Sequence, residues 1–492
     1  MAELTTALGD WPAYWRREPE REAIVDVASG RRWSYGELAD AVDRVTGWLS
    51  LRGIERGARV AVLAQNCVET LLLLFACARC GAILVPLNTR LTPAELAPLV
   101  ADADPALLLH DTTHAEIAVA LAAARPCAPL QCSLSEAAPG GACRPVDGEA
   151  PVLILYTSGT TGRAKGALLS QRMVYWNAVN TTISWDLSGQ DCALVHTPFF
   201  HTGGLHVLTT PLLMRGGRLV LLPAFAPAAV LSLLADERVS VLFAVPTMFQ
   251  MLAGEPGFAT ADFSSLRFCI SGGAPCPATL IELYQARGLV FKQGYGLTEV
   301  GPNCFTLPAG DAVSKLGSVG FANFATRARI VDEAGADVAS NTVGELWLAG
   351  PTVCSGYWRN AEATAVAFAG DWFKTGDLVR IDDEGYAWIV DRKKDMYISG
   401  GENVYPAEVE AVLLAHPAIA EAAVIGRPDA RWGETGEAHL VLRAGQVFDQ
   451  AELQAYLDAR LARYKQPKSY VLATSLPRTP TGKVIKSRLK GS

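Results

Sequence analysis

Residues 156–166 read Tyr-Thr-Ser-Gly-Thr-Thr-Gly-Arg-Ala-Lys-Gly, a stretch in which three glycines are interspersed with four Ser or Thr residues and two cations. It follows an apolar run, Val152 to Leu155, that is typical of a buried strand, and it precedes a helix-like segment that Ser170 can cap. Glycines let backbone N–H groups converge on an anion, while Ser, Thr and Lys side chains add donors and charge. The stretch therefore predicts a loop that binds nucleotide phosphates.

A P-loop is the nearest standard alternative for such a loop. It requires Gly-Lys followed by Ser or Thr and a helix, whereas Lys165 is flanked by Ala164 and Gly166. A different nucleotide chemistry is therefore indicated. The remaining alternative is a hydroxyl-rich surface turn without a ligand.

The composition places the chain among globular proteins of more than one domain. Its 492 residues exceed what a single hydrophobic core usually serves, about 250–300 residues. With 50% hydrophobic residues and a net charge of −7, no general attraction to nucleic acid or acidic membranes is expected. The 11 cysteines occur mostly in apolar contexts and predict buried thiols rather than a disulfide framework. Neither a signal peptide nor a membrane span is recognisable, so a cytoplasmic protein is expected.

Strand-like and helix-like segments alternate along the first half of the chain. Capping boxes at Ser34 and Thr92 open two helices, and the strand-like run Arg59 to Ala64 lies between them. The alternation returns beyond the phosphate loop, which predicts parallel sheets covered by helices.

Several short strings further along the chain offer polar groups directly after predicted strands. His201 precedes two glycines, an arrangement suited to a movable wall, although a packed structural histidine is the simpler interpretation. Residues 294–299, Gly-Tyr-Gly-Leu-Thr-Glu, offer an aromatic face for a base, a hydroxyl for phosphate and a carboxylate for Mg2+. Alone, the string could also be a tight turn before a helix.

The last third of the chain adds a candidate site carboxylate, a candidate site lysine and a charged run. Asp377 is predicted to lie at a turn, where it could accept hydrogen bonds from ribose hydroxyls or serve a structural role. Residues 391–395, Asp-Arg-Lys-Lys-Asp, separate two strand-like segments, and about 100 residues follow, so a linker to a small domain is predicted. Lys483 follows a Thr-Gly turn, where a solubilising charge is the alternative.

Taken together, these strings resemble the adenylate-forming superfamily of acyl-CoA synthetases, luciferases and peptide-synthetase adenylation domains over nearly the whole chain. The motifs come in the family's order: the 157–166 loop, the 294–299 string, Thr-Gly-Asp at 375–377, the 391–395 run followed by Ser-Gly-Gly-Glu-Asn, and Pro-Thr-Gly-Lys at 480–483. Independent turns would not arrive in this order.

The resemblance implies an α/β multi-domain fold. A large N-terminal domain, residues 1–390, would consist of layered α/β subdomains plus a β-barrel part. A hinge linker, residues 391–395, would join it to a small mobile α+β C-terminal domain, residues 396–492. In the family, a carboxylate attacks the α-phosphate of ATP, pyrophosphate leaves, and a thiol captures the acyl-adenylate. ATP, Mg2+ and coenzyme A are the implied cofactors and partners, with a small carboxylic acid.

The resemblance also implies the residues that carry out the first step. Lys483 would bridge the carboxylate and α-phosphate oxygens, Thr298 would bind the α-phosphate, and Glu299 would hold the Mg2+. Tyr295 would stack on adenine, and Asp377 and Arg392 would bind the ribose. The full set of ATP- or AMP-binding candidates is Thr157, Ser158, Gly159, Thr160, Thr161, Gly162, Lys165, Gly272, Gly273, Ala274, Pro275, Gly294, Tyr295, Gly296, Asp377, Arg392 and Asn403.

The second step needs a different arrangement of the same domains. The C-terminal domain would rotate about Lys394 and present the segment that contains Gly400 and Gly401, whose missing side chains leave room for a thiol channel. His201 would open and close that channel. The implied acyl pocket comprises Gly203, Gly204, Val207, Met248, Pro302 and Asn303.

The acceptor and the acid are less fully specified by the residues. No Asp near 200–202 suggests an amino-acid substrate, and no insertion typical of acyl-AMP ligases is evident, so coenzyme A is the expected acceptor. The alternative is transfer to the thiol of a carrier protein. The pattern resembles hydroxycinnamate and medium- to long-chain fatty acid ligases, and Asn303 favours a polar or ring-substituted acid. The sequence around Lys483 also resembles a site that bacterial protein acetyltransferases modify.

Overall fold

A computed structural model describes residues 7–122, 125–135, 146–157, 164–399, 402–429, 431–479 and 482–490. The strands in these residues are β1 (Glu22–Asp26), β2 (Arg31–Ser34), β3 (Arg59–Leu63), β4 (Ile83–Pro86), β5 (Leu107–His110), β6 (Cys127–Pro129), β7 (Pro151–Thr157), β8 (Lys165–Ser170), β9 (Cys192–Val195), β10 (Arg218–Leu221), β11 (Val241–Ala244), β12 (Phe268–Ser271), β13 (Phe291–Leu297), β14 (Gly301–Thr306), β15 (Phe321–Ala322), β16 (Arg327–Val331), β17 (Val343–Ala349), β18 (Phe368–Ala369), β19 (Trp372–Ile381), β20 (Ala387–Arg392), β21 (Tyr397–Ser399), β22 (Glu402–Val404), β23 (Ile419–Asp429), β24 (Gly433–Leu442) and β25 (Ser469–Leu472).

The α-helices in the same residues are α1 (Trp11–Trp15), α2 (Tyr35–Leu51), α3 (Val68–Cys80), α4 (Pro93–Ala103), α5 (Ala115–Ala122), α6 (Leu130–Ser135), α7 (Gln171–Ser184), α8 (Thr202–His206), α9 (Thr209–Arg215), α10 (Pro227–Asp236), α11 (Pro246–Ala253), α12 (Ala278–Gln285), α13 (Ala361–Ala367), α14 (Pro406–Leu414), α15 (Gln450–Asp458) and α16 (Lys486–Leu489). Within the described residues, none of these helices combines the length and the apolar character that a membrane span needs.

Two large sheets form the first part of the molecule. The six-stranded sheet has the order β6-β5-β3-β4-β7-β8 and is parallel except at β8. The nine-stranded sheet has the order β15-β14-β13-β12-β11-β9-β10-β1-β2 and is parallel from β13 to β1. One buried cluster joins residues of both sheets, such as Val152 and Leu219, to Leu49 of α2 and Phe75 of α3. Parallel sheets covered by helices were predicted, and this prediction is confirmed.

The helix caps read from the sequence are present. Ser34 and Glu37 form a reciprocal capping box at α2, and Thr92 and Glu95 form another at α4. The Ser170 side chain accepts a hydrogen bond from the first turn of α7. These caps satisfy N–H groups that a helix leaves without partners, so short polar motifs fixed the helix starts.

Two smaller sheets complete the fold. An antiparallel sheet of β16, β17, β18, β19 and β20 stands where the barrel part was expected, and a mixed sheet of β21 to β25 belongs to the C-terminal part. The charged run at 391–395 begins in the last two residues of β20, Asp391 and Arg392, and continues through the turn that leads to β21 at Tyr397. The α/β multi-domain class with a small C-terminal domain is confirmed, while the domain boundaries stay a prediction.

The structure excludes one alternative that the sequence left open, and it contradicts one local expectation. The string at 294–299 does not precede a helix, because β13 continues to Leu297 and returns antiparallel as β14. A side chain at Gly296 would collide with the Pro302 backbone, which explains why glycine occupies this tight hairpin. Asp377 lies within β19 rather than at a turn, although Gly376 beside it has a φ of +70°.

Candidate active site

The two ends of the predicted phosphate loop lie on the paired strands β7 and β8. Thr157 at the end of β7 pairs with Lys165 at the start of β8, and the Thr157 hydroxyl lies 3.4 Å from the Lys165 carbonyl oxygen. A side chain on the next residue, Gly166, would approach Ile154 to 2.7 Å, so glycine is required where the hairpin packs. The candidates Ser158, Gly159, Thr160, Thr161 and Gly162 lie outside the described residues.

Glu299 lies opposite this hairpin, in the connection between β13 and β14. Its Oε1 atom accepts hydrogen bonds from the Tyr357 hydroxyl at 3.0 Å and the Thr157 hydroxyl at 3.4 Å. The Oε2 atom accepts none from the described part of the chain, and Thr298 is its sequence neighbour. Mg2+ is commonly bound through one or two carboxylates plus substrate phosphates, so a single carboxylate with a free oxygen fits that ion. The Lys165 ammonium lies 5.2 Å from the Tyr357 ring centre, on the same side of the site.

A second cluster joins three of the nucleotide candidates. The Tyr295 hydroxyl donates to Asp377 Oδ2 at 2.5 Å, and the Arg392 guanidinium forms an ion pair with Oδ1 of the same carboxylate. Burial raises the pKa of Asp377, and the charges of Arg392 and Lys483 oppose this rise. The carboxylate thus fixes the Tyr295 ring and the Arg392 side chain in one arrangement, although these residues come from three different strands.

Lys483 reaches this cluster from the C-terminal end of the chain. Its pKa is lowered to about 8, mainly by burial and then by the charge of Arg392, while Asp377 acts in the opposite direction. A side chain on the preceding residue, Gly482, would lie 2.8 Å from the Thr247 hydroxyl of α11. The loop that carries Lys483 is therefore packed directly against the large N-terminal part.

Two residues outside the predicted set hold the Lys483 loop in place. Arg478 donates to the Gly482 carbonyl at 2.6 Å and forms an ion pair of 2.6 Å with Glu421 of β23. The Thr479 backbone N–H donates to the Lys483 carbonyl at 2.7 Å. The ammonium position therefore depends on a charged pair that bridges the loop to the C-terminal sheet.

Residues 272–275 continue from the carboxyl end of β12. Gly273 has a φ of +81°, a conformation that favours glycine, and a side chain on Gly272 would approach the Phe243 ring to 3.4 Å. Gly294 of the neighbouring strand has its carbonyl oxygen 3.5 Å from the same would-be atom. The glycine-rich segment, which includes the candidates Ala274 and Pro275, thus lies beside Gly294, Tyr295 and Gly296 as the adenine assignment requires.

His201 immediately precedes α8, the short helix that carries Gly203 and Gly204. Its Nε2 atom is buried without a hydrogen-bond partner among the described residues, and burial together with the nearby Arg90 lowers the pKa of the imidazole to about 4. A side chain on Gly204 would collide with the carbonyl oxygens of Thr197 and Pro198. The imidazole is therefore neutral near pH 7, and Gly204 serves close backbone packing.

Asn303 is the polar member of the predicted acyl pocket and is 3% exposed. Its amide nitrogen donates to the Thr181 hydroxyl and to the Val207 carbonyl at 3.2 Å, which ties β14 to the end of α8. Pro302 is half-buried beside it. Met248, by contrast, belongs to a hydrophobic core cluster behind β11, and its neighbour Phe249 packs against Tyr284 there.

The hinge candidate Lys394 lies exposed in the turn after β20. Asp391, at the end of that strand, accepts a hydrogen bond of 2.8 Å from the Ala407 N–H in the first turn of α14. Gly400, Gly401 and the side chain of Asn403 lie outside the described residues. The strand before the hinge is therefore already bonded to the C-terminal domain.

Comparisons with known proteins show the family to which the chain belongs. Residues 11–358 match the model of the AMP-binding enzyme family, and residues 408–483 match that of the AMP-binding enzyme C-terminal domain. The chain belongs to the AMP-binding enzyme family. It is 43% identical to a feruloyl-CoA synthase of an Amycolatopsis species over 98% of both chains. It is 40% identical to the indoleacetate–CoA ligase of Aromatoleum aromaticum, over 94% of this chain and 93% of the relative.

The chain also shares its overall fold with a solved structure. The o-succinylbenzoate coenzyme A synthetase of Bacillus subtilis, solved with ATP and a magnesium ion, superimposes with a TM-score of 0.89 at 32% identity, over 98% of this chain and 99% of that one. The predicted adenylate-forming acyl-CoA synthetase is thereby confirmed, as is an ATP-dependent acid–CoA ligase activity with ATP, Mg2+ and coenzyme A. Transfer to a carrier-protein thiol is not favoured.

The sequence of this AMP-binding enzyme did not indicate two residues that hold predicted site residues in place. Tyr357 binds Glu299 from 58 residues away, and it carries no motif of its own. Arg478 lies five residues before Lys483, where a cation near the catalytic motif was a weak signal. Both became visible only when folding brought distant segments together.

Proposed function

We propose that the protein activates an aromatic carboxylic acid of the cinnamic type, one that carries a polar ring substituent, and joins it to coenzyme A. The 43% identity to a feruloyl-CoA synthase over nearly the whole chain supports this substrate class. The observation that carries the proposal is the buried amide of Asn303 in the expected acyl pocket. An aliphatic acid offers no group to satisfy such an amide.

The geometry of Asn303 explains this preference. Its Nδ2 atom is held by Thr181 and Val207, while its Oδ1 atom accepts no hydrogen bond from the described residues. A substrate hydroxyl could donate to this oxygen, and such a hydrogen bond contributes about 0.5–1.5 kcal/mol. A saturated chain has no donor to offer it.

In the first half-reaction we assign the charge stabilisation to Lys483, Thr298 and the phosphate hairpin. Two anions, the carboxylate and ATP, must approach each other, so cations and N–H donors are needed where charge develops. Lys483 would lie between the two, and Asp377 with Arg392 would hold the ribose. Mg2+ on Glu299 would neutralise phosphate charge as pyrophosphate leaves.

In the second half-reaction we assign the thiol channel to the segment of Gly400 and Gly401. The C-terminal domain would rotate about Lys394, withdraw Lys483 and bring that segment to the site, a hinge motion between two discrete arrangements. A neutral His201 would then line the channel through which the thiol enters.

The test is pyrophosphate release with ATP and Mg2+ across cinnamic, other aryl and fatty acids, each with and without coenzyme A. We expect release to require a ring-substituted cinnamic acid and to turn over only with coenzyme A. Release that is confined to fatty acids would refute the substrate class. Release that coenzyme A does not affect would refute the acceptor.

An Asn303→Val variant tests whether the Asn303 amide recognises the acid. We expect it to lose about tenfold in kcat/KM for the hydroxylated acid, with the unsubstituted acid as internal control. Equal effects on both acids would contradict the role of Asn303.

Two further predictions from the sequence stay proposals. One is acetylation of Lys483 by a protein acetyltransferase, which would remove the charge and block adenylation while sparing thioester formation from a supplied adenylate. Loss of both half-reactions in acetylated protein would contradict it. The other is a cytoplasmic location, which fractionation of the producing cells would test.

A further inference from the structure

Three in-register side chains form a row on one face of the nine-stranded sheet. Phe243 of β11 pairs with Ile270 of β12, and Ile270 pairs with Lys292 of β13. Register partners on neighbouring parallel strands point to the same side of a sheet, so the three side chains lie side by side. The row combines two apolar groups with one ammonium.

This row lies beneath Gly203 of the expected acyl pocket and beneath Gly272 and Gly294 of the adjoining expected nucleotide site. A side chain on Gly203 would approach the Phe243 ring to 3.3 Å, and one on Gly272 would approach it to 3.4 Å. A side chain on Gly294 would approach Ile270 to 3.1 Å. Two residues along a strand span about 6.6 Å, so Lys292 lies that distance from Gly294 on the same face. The row is therefore the floor on which the far end of an acid would rest.

Lys292 is a charged residue in an apolar setting, with 3% of its surface exposed. Its Nζ atom lies 4.1 Å from the Phe268 ring centre and 5.7 Å from that of Trp185. The Trp185 indole is itself fixed by a 2.8 Å hydrogen bond to Thr306. The rings attract a cation but offer it no hydrogen-bond acceptor. Burial lowers the pKa of Lys292 to about 8, and the charge of Arg267 contributes in the same direction.

No carboxylate forms an ion pair with Lys292 in the part of the chain that the structure describes. The nearby Arg267 differs, because Asp191 accepts two hydrogen bonds of 2.8 Å from it. The two rings offer the Lys292 ammonium no acceptor, whereas an apolar side chain at this position would complete the floor. An ammonium has three donors to offer, so the missing partner must be an acceptor.

We propose that Lys292 binds the oxygen substituent at the far end of the acid, a phenolic hydroxyl or phenolate, and so selects hydroxylated aromatic acids over alkyl chains. This assignment rests on the proposed function, since it places the acid between the adenylation site and the row. An alkyl chain would leave the ammonium desolvated and unpartnered, which makes the floor unfavourable for it. Lys292 would thus set specificity without taking part in either chemical step.

The test compares the parent enzyme with a Lys292→Met variant, which keeps the length of the side chain and removes its charge. The measured quantity is kcat/KM for acyl-CoA formation with 4-hydroxycinnamic acid, cinnamic acid and an alkyl acid of similar length. We expect the variant to lose the preference for the hydroxylated acid by about 10- to 100-fold, as for a hydrogen bond to a charged group. Activity with cinnamic acid should be unchanged or higher.

A Lys374→Met variant is the matched control. The Lys374 ammonium also lies over an aromatic ring, 5.7 Å from the centre of Trp347, but it is on the antiparallel sheet. A preference for the hydroxylated acid that survives in Lys292→Met, or that falls equally in Lys374→Met, would overturn the proposal while leaving the proposed function intact. A parent enzyme that activates only alkyl acids would refute both. If Lys292→Met does not fold, Lys292→Gln, a neutral donor, should retain part of the preference.

Discussion

At the scale of single residues, the active site is built around charges that are only partly compensated. Lys483 keeps an ammonium close to Arg392, and burial lowers its pKa to about 8. Asp377 opposes this lowering of the pKa more than Asp395 does, and it is shared between Arg392 and Tyr295. Lys483 and Arg392 thus place two cations beside one shared carboxylate, which suits the binding of two anionic substrates.

Replacing Lys483 by Met is expected to slow adenylate formation on the order of a hundredfold or more, because a donor to developing charge is lost. In the parent enzyme, kcat/KM for ATP should fall as the pH rises through about 8, since the Lys483 amine is charged only below its pKa. ATP–pyrophosphate exchange measured against pH checks both points. Lys483→Arg stays charged and should lack this fall; a fall that persists in it would assign the titration to another group.

Replacing Tyr357 by Phe removes one of the two hydrogen bonds on Glu299 Oε1. We expect the apparent affinity for Mg2+ and ATP to weaken by about tenfold, because the carboxylate is less firmly oriented. Titration of pyrophosphate exchange with Mg2+ measures the effect. Tyr156→Phe is the control, since it removes a comparable 2.6 Å bond to Asp102 away from Glu299. Equal losses in both variants would indicate a general effect on the hairpin.

The sequence predicted residues that belong to contiguous motifs and missed those that act across distance. Thr157, Lys165 and Glu299 could be assigned because glycines and hydroxyls flank them in a recognisable order. Tyr357 could not, since its role arises from a contact with a residue 58 positions away. The role proposed for Lys292 could not be predicted either, because its side of the strand follows from the register of β12 and β13.

At the scale of elements, tight backbone packing decides how the motifs are presented. The sequence left the 294–299 string open between a nucleotide-binding segment and a tight turn before a helix. It forms a hairpin because Gly296 allows the backbone at Pro302 to approach. The helix caps could be predicted, since they depend on residues three positions apart. Pairing of β13 with β14 depends on the return of the chain, which local propensity does not specify.

The Arg478–Glu421 pair is predicted to matter for adenylation more than for stability. Both side chains are about one-third exposed, so their ion pair should contribute at most about 1 kcal/mol to folding. Arg478→Met would free the Gly482 carbonyl and the Lys483 loop, and we expect adenylation to slow by about tenfold. Thermal unfolding and pyrophosphate exchange, measured together, check this. An equal slowing of thioester formation from supplied adenylate would contradict a role confined to the Lys483 loop.

At the scale of the whole molecule, four sheets divide the chain between layered α/β units, an antiparallel sheet and a small C-terminal domain. The sequence could predict this arrangement because the motifs come in a fixed order and the charged run leads from the antiparallel sheet to the C-terminal one. It could not predict which of two domain orientations the chain adopts. The packing of Gly482 against Thr247 shows the one in which Lys483 is inserted.

Replacing Lys394 by Pro is predicted to separate the half-reactions. Proline fixes φ, so a rotation at this exposed turn residue should be hindered while the inserted state persists. We expect pyrophosphate exchange within about twofold of the parent and at least a tenfold loss in acyl-CoA formation. Lys393→Pro is compared with it, to separate an effect at Lys394 from a general effect of proline in this turn. Loss of exchange as well would mean that proline disturbs the inserted state itself.

The packing of Gly482 against Thr247 also suggests a way to count the active enzyme molecules in a preparation. While the Lys483 loop stays packed against α11, we expect the mixed anhydride to stay bound until a thiol arrives. An enzyme given acid and ATP but no thiol should therefore release one equivalent of pyrophosphate per competent chain and then stop. The size of that burst would report the fraction of active molecules in a preparation, and the slow release that follows would measure how often the loop opens.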